Sequence, residues 1–149
     1  MLRGRFGLAI VYLVFVCLSG MMPPTAAKPC SLDTLKKVQN LISIAPGMNQ
    51  KLNCSLYTPT PQDYMQKCPK STLKCFADET QVLIQEWESV NVGNLRGSRY
   101  VYKKLEFLST ELEQPESECL QCEFLHEENA EKFLEQLKST LMMMNSQHC

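Results

Sequence analysis

The placement of the cysteines constrains this chain more than any other feature. Cys68 and Cys75 form one spaced pair, Cys119 and Cys122 form a C-x-x-C inside "SECLQCEF", and Cys17, Cys30, Cys54 and Cys149 stand apart. A C-x-x-C is half of a zinc site, a redox dithiol, or two cysteines bonded separately to distant partners. The first stretch of the chain bears on that choice. Arg3 and Arg5 precede an apolar run from Phe6 to Met22 and then Thr25-Ala26-Ala27, the charged, apolar and small-residue order of a secretory signal peptide. We expect a signal peptide over residues 1–27 and a single domain over 28–149, secreted and not inserted in a membrane once the signal is cleaved. The seven cysteines after Cys17 then meet an oxidising compartment, where disulfides persist. Zinc would need further ligands from His126 or His148, and a redox dithiol would need a βαβ pattern that the sequence lacks. No metal and no cofactor are expected, and disulfides to distant partners remain.

Hydrophobic periodicity supplies four helices and no sustained strand. Leu32, Leu35, Val38, Leu41, Ile42 and Ala45 recur at three- and four-residue intervals, with Ser31 as N-cap, Asp33 in the first turn and Pro46-Gly47 as the stop. Residues 47–71 hold Pro59, Pro61 and Pro69 and read as a long connection, with a short extended piece at Leu56-Tyr57. Leu73, Phe76, Thr80, Leu83, Trp87 and Val90 mark one face of the second helix, and Asn91, Gly93, Asn94 and Gly97 break it. Val101, Leu105, Leu108 and Leu112 mark the third, which Pro115 ends. The fourth runs from about Glu123, or a few residues later, to Met144, with Ala130, Phe133, Leu134, Leu137 and Leu141 inward.

A long first connection lets the first two helices run parallel, whereas a short second link forces an antiparallel pair. The expected architecture is therefore an all-α, up-up-down-down four-helix bundle of the cytokine type, with long crossover connections. Bonds between the Cys68/Cys75 and Cys119/Cys122 pairs would pin the crossovers, each closing a loop worth on the order of 4 kcal/mol in the loop-entropy model, a figure that two overlapping loops do not contribute twice. Spacing leaves their connectivity open. In this bundle the first and last helices are antiparallel, so the start of one and the end of the other share a pole. That predicts a Cys30–Cys149 bridge and leaves Cys54 odd, free to pair between molecules. Asn53-Cys54-Ser55 is also an N-glycosylation sequon, which makes Asn53 a candidate glycan site.

The formal net charge of −1 gives no footing for nucleic-acid binding. No Ser/His/Asp set, paired catalytic carboxylates or glycine-rich phosphate loop is evident, so the chain is not expected to be an enzyme.

"LYT" at Leu56 to Thr58, the C-x6-CF at Cys68 to Phe76, "ESECLQCEFLHEENAEKFL" at Glu116 to Leu134 and "LKKVQNLI" at Leu35 to Ile42 resemble the interleukin-15 family. The interleukin-2 pattern, with a single such bridge, fits less closely. The resemblance implies Cys68–Cys119 and Cys75–Cys122 bonds and the cytokine bundle. It also implies a monomeric cytokine held by a receptor α chain, signalling through a β chain and the common γ chain on lymphoid cells. The α-chain site would comprise Tyr57, Glu79, Glu86 and Glu123. Glu79 and Glu86 are seven apart, so on a helix they differ by only about 20° and share a stripe. The signalling faces depart from the family pattern. Thr34 stands at the acidic position of the first helix, with Asp33 beside it; Lys103 or Lys104 replaces the third-helix asparagine; Met142 replaces a glutamine near the end of the fourth. Asp33, Thr34, Lys104, Met142 and Met143 are the candidate β- and γ-chain contacts. Two other readings of the residues are an interleukin-2-like cytokine and a secreted binder that captures the α chain without signalling.

Overall fold

The first long helix, α1 (Leu32–Asn49), begins where its cap does, with Ser31 extended and its Oγ accepting the Thr34 N–H. The computed structural model describes residues 30–90, 95, 97–115 and 118–149; the expected signal peptide lies outside the described residues, as do Asn91, Gly93 and Asn94 of the expected helix break. Strand β1 (Leu56–Tyr57) and a short helix α2 (Pro61–Met65) follow α1, then the long helices α3 (Pro69–Ser89) and α4 (Ser98–Glu111). A 3-10 turn (Cys122–Phe124), strand β2 (Glu127–Glu128) and helix α5 (Ala130–His148) complete the order.

Four contacts fix the directions of the long helices. Arg99 at the start of α4 pairs with Glu88 at the end of α3, and Lys74 pairs with Glu106 at 3.4 Å, so these two helices are antiparallel. The Ser31 N–H donates to Asn145 Oδ1 at 2.9 Å, which sets the start of α1 beside the end of α5. Cys54, just beyond α1, lies against Glu86 and Trp87 near the end of α3, so α1 and α3 run the same way. The result is the up-up-down-down bundle. Its core holds Trp87, Phe76, Phe133, Leu41, Leu83, Leu105 and Leu137, all fully or nearly fully buried, and the Phe76 and Phe133 rings meet at 5.5 Å.

Disulfides join Cys30 to Cys149, Cys68 to Cys119 and Cys75 to Cys122. The pole carrying the first of these is also closed by a buried amide. Asn145 returns its Nδ2–H to the Ser31 carbonyl at 3.2 Å, so one side chain satisfies both backbone groups of Ser31.

Several sequence expectations need correction. Pro46-Gly47 does not stop α1, which continues to Asn49; a proline removes one helical hydrogen bond, and burial of Met48 in the core holds the last turn. Leu32 faces solvent at 65% exposure, and Thr34 takes the inward place in the first turn. Pro61 and Pro69 start helices rather than loops, because a first-turn N–H has no helical partner to lose. At α2 the Thr60 and Asp63 side chains form a reciprocal capping box. The last helix begins at Ala130, capped by Asn129, because residues 122–124 form the 3-10 turn and residues 127–128 form β2.

Candidate functional site

The two long connections meet on one side of α3. β1 pairs antiparallel with β2, Leu56 opposite Glu128 and Tyr57 opposite Glu127, and the Thr58 N–H donates to the His126 carbonyl at 2.8 Å. Glu79 joins the helix to this small sheet, its Oε2 accepting the Tyr57 N–H at 2.8 Å. One turn earlier on α3, Cys75 holds Cys122, and with it Glu123 in the 3-10 turn. The start of α3 is tied to the second connection again, because both the Ser71 N–H and its hydroxyl donate to Gln114 Oε1.

Three of the four candidate α-chain residues, Tyr57, Glu79 and Glu123, are thereby brought together. Burial pushes the Glu79 carboxyl above its ordinary range, the Tyr57 N–H opposes that shift, and the charges of Asp78, Glu123 and Glu127 add to it. The carboxylates of Glu79, Asp78, Glu123 and Glu127 thus lie close enough to feel one another's charge. Glu79 is partly committed to the fold, whereas Glu123 is exposed and free to meet a partner. Glu86 lies two turns further along α3, exposed, at the edge of this surface.

Beside Glu86 sits Cys54, unbonded and 4% exposed. Burial first, then the neighbouring Glu86 carboxylate, push its thiol up to about 12; the Trp87 indole partly opposes this. A buried thiol kept protonated is a poor nucleophile. Asn53, next to it, is exposed.

The candidate signalling residues are more scattered. Thr34 is fully buried, its hydroxyl 2.6 Å from Ser31 Oγ, so it offers no surface to a partner; the cap geometry that buries it cannot be seen in periodicity. Asp33 is exposed and pairs with Lys37 at 3.4 Å, while Lys37 in turn lies over the Tyr100 ring at 3.6 Å. Lys104 stands over Phe107 on α4. Met142 is 52% exposed, Met143 packs partly on the core, and Met144 is buried. Asp33 and the two methionines share the pole of the Cys30–Cys149 bridge; Lys104 is on the side of the bundle. Sequence reasoning missed Asn145, Glu127 and the exposed pair Leu120 and Phe124. Of these, only Glu127 carried a signal, as one more acid in the run after Cys122.

The Interleukin 15 family model matches residues 12–145. The chain belongs to the interleukin-15 family. Among its relatives, human interleukin-15 is 27% identical over 128 residues, covering 85% of this chain and 74% of the relative. Interleukin-15 of Macaca mulatta gives the same identity and coverage. Interleukin-15 of Oryctolagus cuniculus is 27% identical over 123 residues, 82% of this chain and 71% of the relative. The interleukin-15 family is one of cytokines, not of enzymes, and the four long helices and three disulfides among the described residues fit its bundle. Among the described residues no helix is long and apolar enough to cross a membrane.

Proposed function

We propose that this interleukin-15 family member is a secreted, monomeric cytokine whose residues 1–27 are removed as a signal peptide. It binds a receptor α chain through Tyr57, Glu79, Glu86 and Glu123, and signals by bringing a β chain and the common γ chain together on lymphoid cells. The observation that carries the reading is the convergence of Tyr57, Glu79 and Glu123 on one acidic surface pinned by the Cys75–Cys122 bond. Carboxylates arranged this way raise the rate of encounter with a basic receptor surface and select against acidic ones. Asp33, Lys104, Met142 and Met143 are the proposed signalling contacts, and Asn53 is the proposed glycan site.

Binding of residues 28–149 to the α-chain ectodomain of the same species tests the reading. Glu123→Lys and Glu86→Lys are the informative variants, because neither side chain holds a strand in place. Expected is a loss of affinity of about tenfold or more for Glu123→Lys and a smaller loss for Glu86→Lys. Unchanged affinity in both would remove the surface.

A second reading is a binder that captures the α chain without signalling. It is favoured by the first helix, where Thr34 is buried and the Asp33 carboxylate is engaged by Lys37. Kinase activation in cells carrying β and γ chains separates the two: a response supports the cytokine, and α-chain binding with no response supports the carrier.

A further inference from the structure

Leu120 and Phe124 are the most exposed large apolar side chains among the described residues, at 66% and 73%. They do not sit on a loose end. Cys119 and Cys122 tie this stretch to Cys68 and Cys75 on either side of Leu120, and the Phe124 N–H donates to the Gln121 carbonyl at 3.0 Å. Holding a leucine and a phenylalanine out in water gains the isolated chain nothing, because their apolar area stays hydrated. With Leu125 they line a groove of ≈ 400 Å³ that reaches Thr58 after β1 and Lys132 on α5. The charge around it is mainly acidic, with Lys132 as the one cation among the described residues that line it. Asp63 and Glu128 line the groove, Glu118, Glu123 and Glu127 are exposed on the same connection, and Lys132 lies 3.7 Å from the Glu128 carboxylate.

We propose that the Leu120–Phe124 groove is the apolar anchor of the α-chain surface, filled by an apolar side chain of the receptor that has lysines or arginines on either side of it. The proposal rests on the receptor reading above. Charge selects the occupant. A second copy of the chain would bring an acidic rim against an acidic rim, and an anionic membrane would face the same carboxylates. A basic protein surface instead gains ion pairs at the rim and a desolvated apolar contact at the centre, the usual anatomy of a tight interface. The carboxylates then govern encounter and Phe124 governs dissociation.

The test is surface-plasmon binding of residues 28–149, disulfides intact, to the immobilised α-chain ectodomain, using Phe124→Ser, Leu120→Ser, Phe124→Tyr and Glu123→Lys. Neither apolar side chain belongs to the core, so the variants should keep the wild-type circular dichroism. Expected for Phe124→Ser is a loss of more than about tenfold, mostly in the dissociation rate, with a smaller loss for Leu120→Ser. Phe124→Tyr should stay within about threefold of wild type, because the ring is kept. If both serine variants bind like wild type while Glu123→Lys does not, the groove is no anchor and the receptor reading survives. If the wild type does not bind the α chain, both fall. Self-association of the wild type in sedimentation, abolished by Phe124→Ser, would assign the groove to a second copy and overturn the proposal.

Discussion

Disulfides hold two regions of this molecule, and they hold them for different ends. At the pole, Cys30–Cys149 joins the first helix to the last, and the polar groups of the cap turn inward: Asn145 is spent on both backbone groups of Ser31, and Thr34 is buried beneath the cap. On the side, Cys68–Cys119 and Cys75–Cys122 hold a stretch that turns outward, with Leu120, Glu123 and Phe124 exposed. The same covalent constraint closes the fold in one place and presents a surface in the other. A disulfide near a candidate site is therefore informative only together with the exposure of the side chains beside it.

Removing the bonds one at a time breaks this comparison most directly. Cys30→Ala with Cys149→Ala opens a loop of 119 residues and should cost up to about 5 kcal/mol in urea unfolding, with α-chain affinity unchanged after refolding. Cys75→Ala with Cys122→Ala opens one of 47 residues, but the intact Cys68–Cys119 bond still closes an overlapping loop, so the cost should fall below about 4 kcal/mol, and here α-chain binding should fall as well. Equal effects on binding from the two double variants would dissolve the distinction.

Asn145→Ala comes next. It leaves the Ser31 N–H without its buried partner, while the Ser31 carbonyl keeps the Leu35 N–H at 3.3 Å, and should destabilise by about 2 kcal/mol without touching receptor affinity.

Glu79→Gln probes the surface region through pH. The folded chain holds the Glu79 carboxyl above 4.5, so folding favours its protonated form, and that contribution to stability is lost as pH rises through the raised value. A glutamine keeps an oxygen acceptor for the Tyr57 N–H but has no proton to lose. The variant should unfold at a higher urea concentration than wild type at neutral pH, and the gap should close below about pH 4. A gap that persists there would mean that the carboxylate charge is not its source.

The smallest effect is expected from Asp33→Asn. An exposed carboxylate paired with Lys37 should change stability by less than about 0.5 kcal/mol. A clear loss of kinase activation in that variant would then mark Asp33 as a receptor contact rather than a structural one.

The bundle was largely legible in the sequence because its cause is periodic. The stripe from Leu73 to Trp87 is buried along its whole length, and the extended piece at Leu56-Tyr57 is a strand. Features set by single side-chain bonds were not legible. Nothing in the spacing of Thr34 distinguishes a receptor-facing threonine from one turned in beneath Ser31, and Asn145 follows three methionines with no pattern to mark it. Prolines misled in a consistent way: Pro61 and Pro69 read as loop residues, yet each occupies the first turn of a helix, the one helical place where a missing N–H is harmless. The acidic half of the candidate surface could be found from Glu79, Glu86 and Glu123. The apolar half could not, because Leu120 and Phe124 lie in a turn without periodicity.

Cys54 bears on how the chain must be made. Residues 28–149 hold seven cysteines, and among the described residues the unpaired one, Cys54, is shielded by the core that forms around it beside Trp87. Until that core closes, its thiol competes with six others for partners. Refolding under slow, reversible thiol exchange, which lets the core close around Cys54 before the bonds are fixed, should therefore outperform rapid oxidation of the unfolded chain.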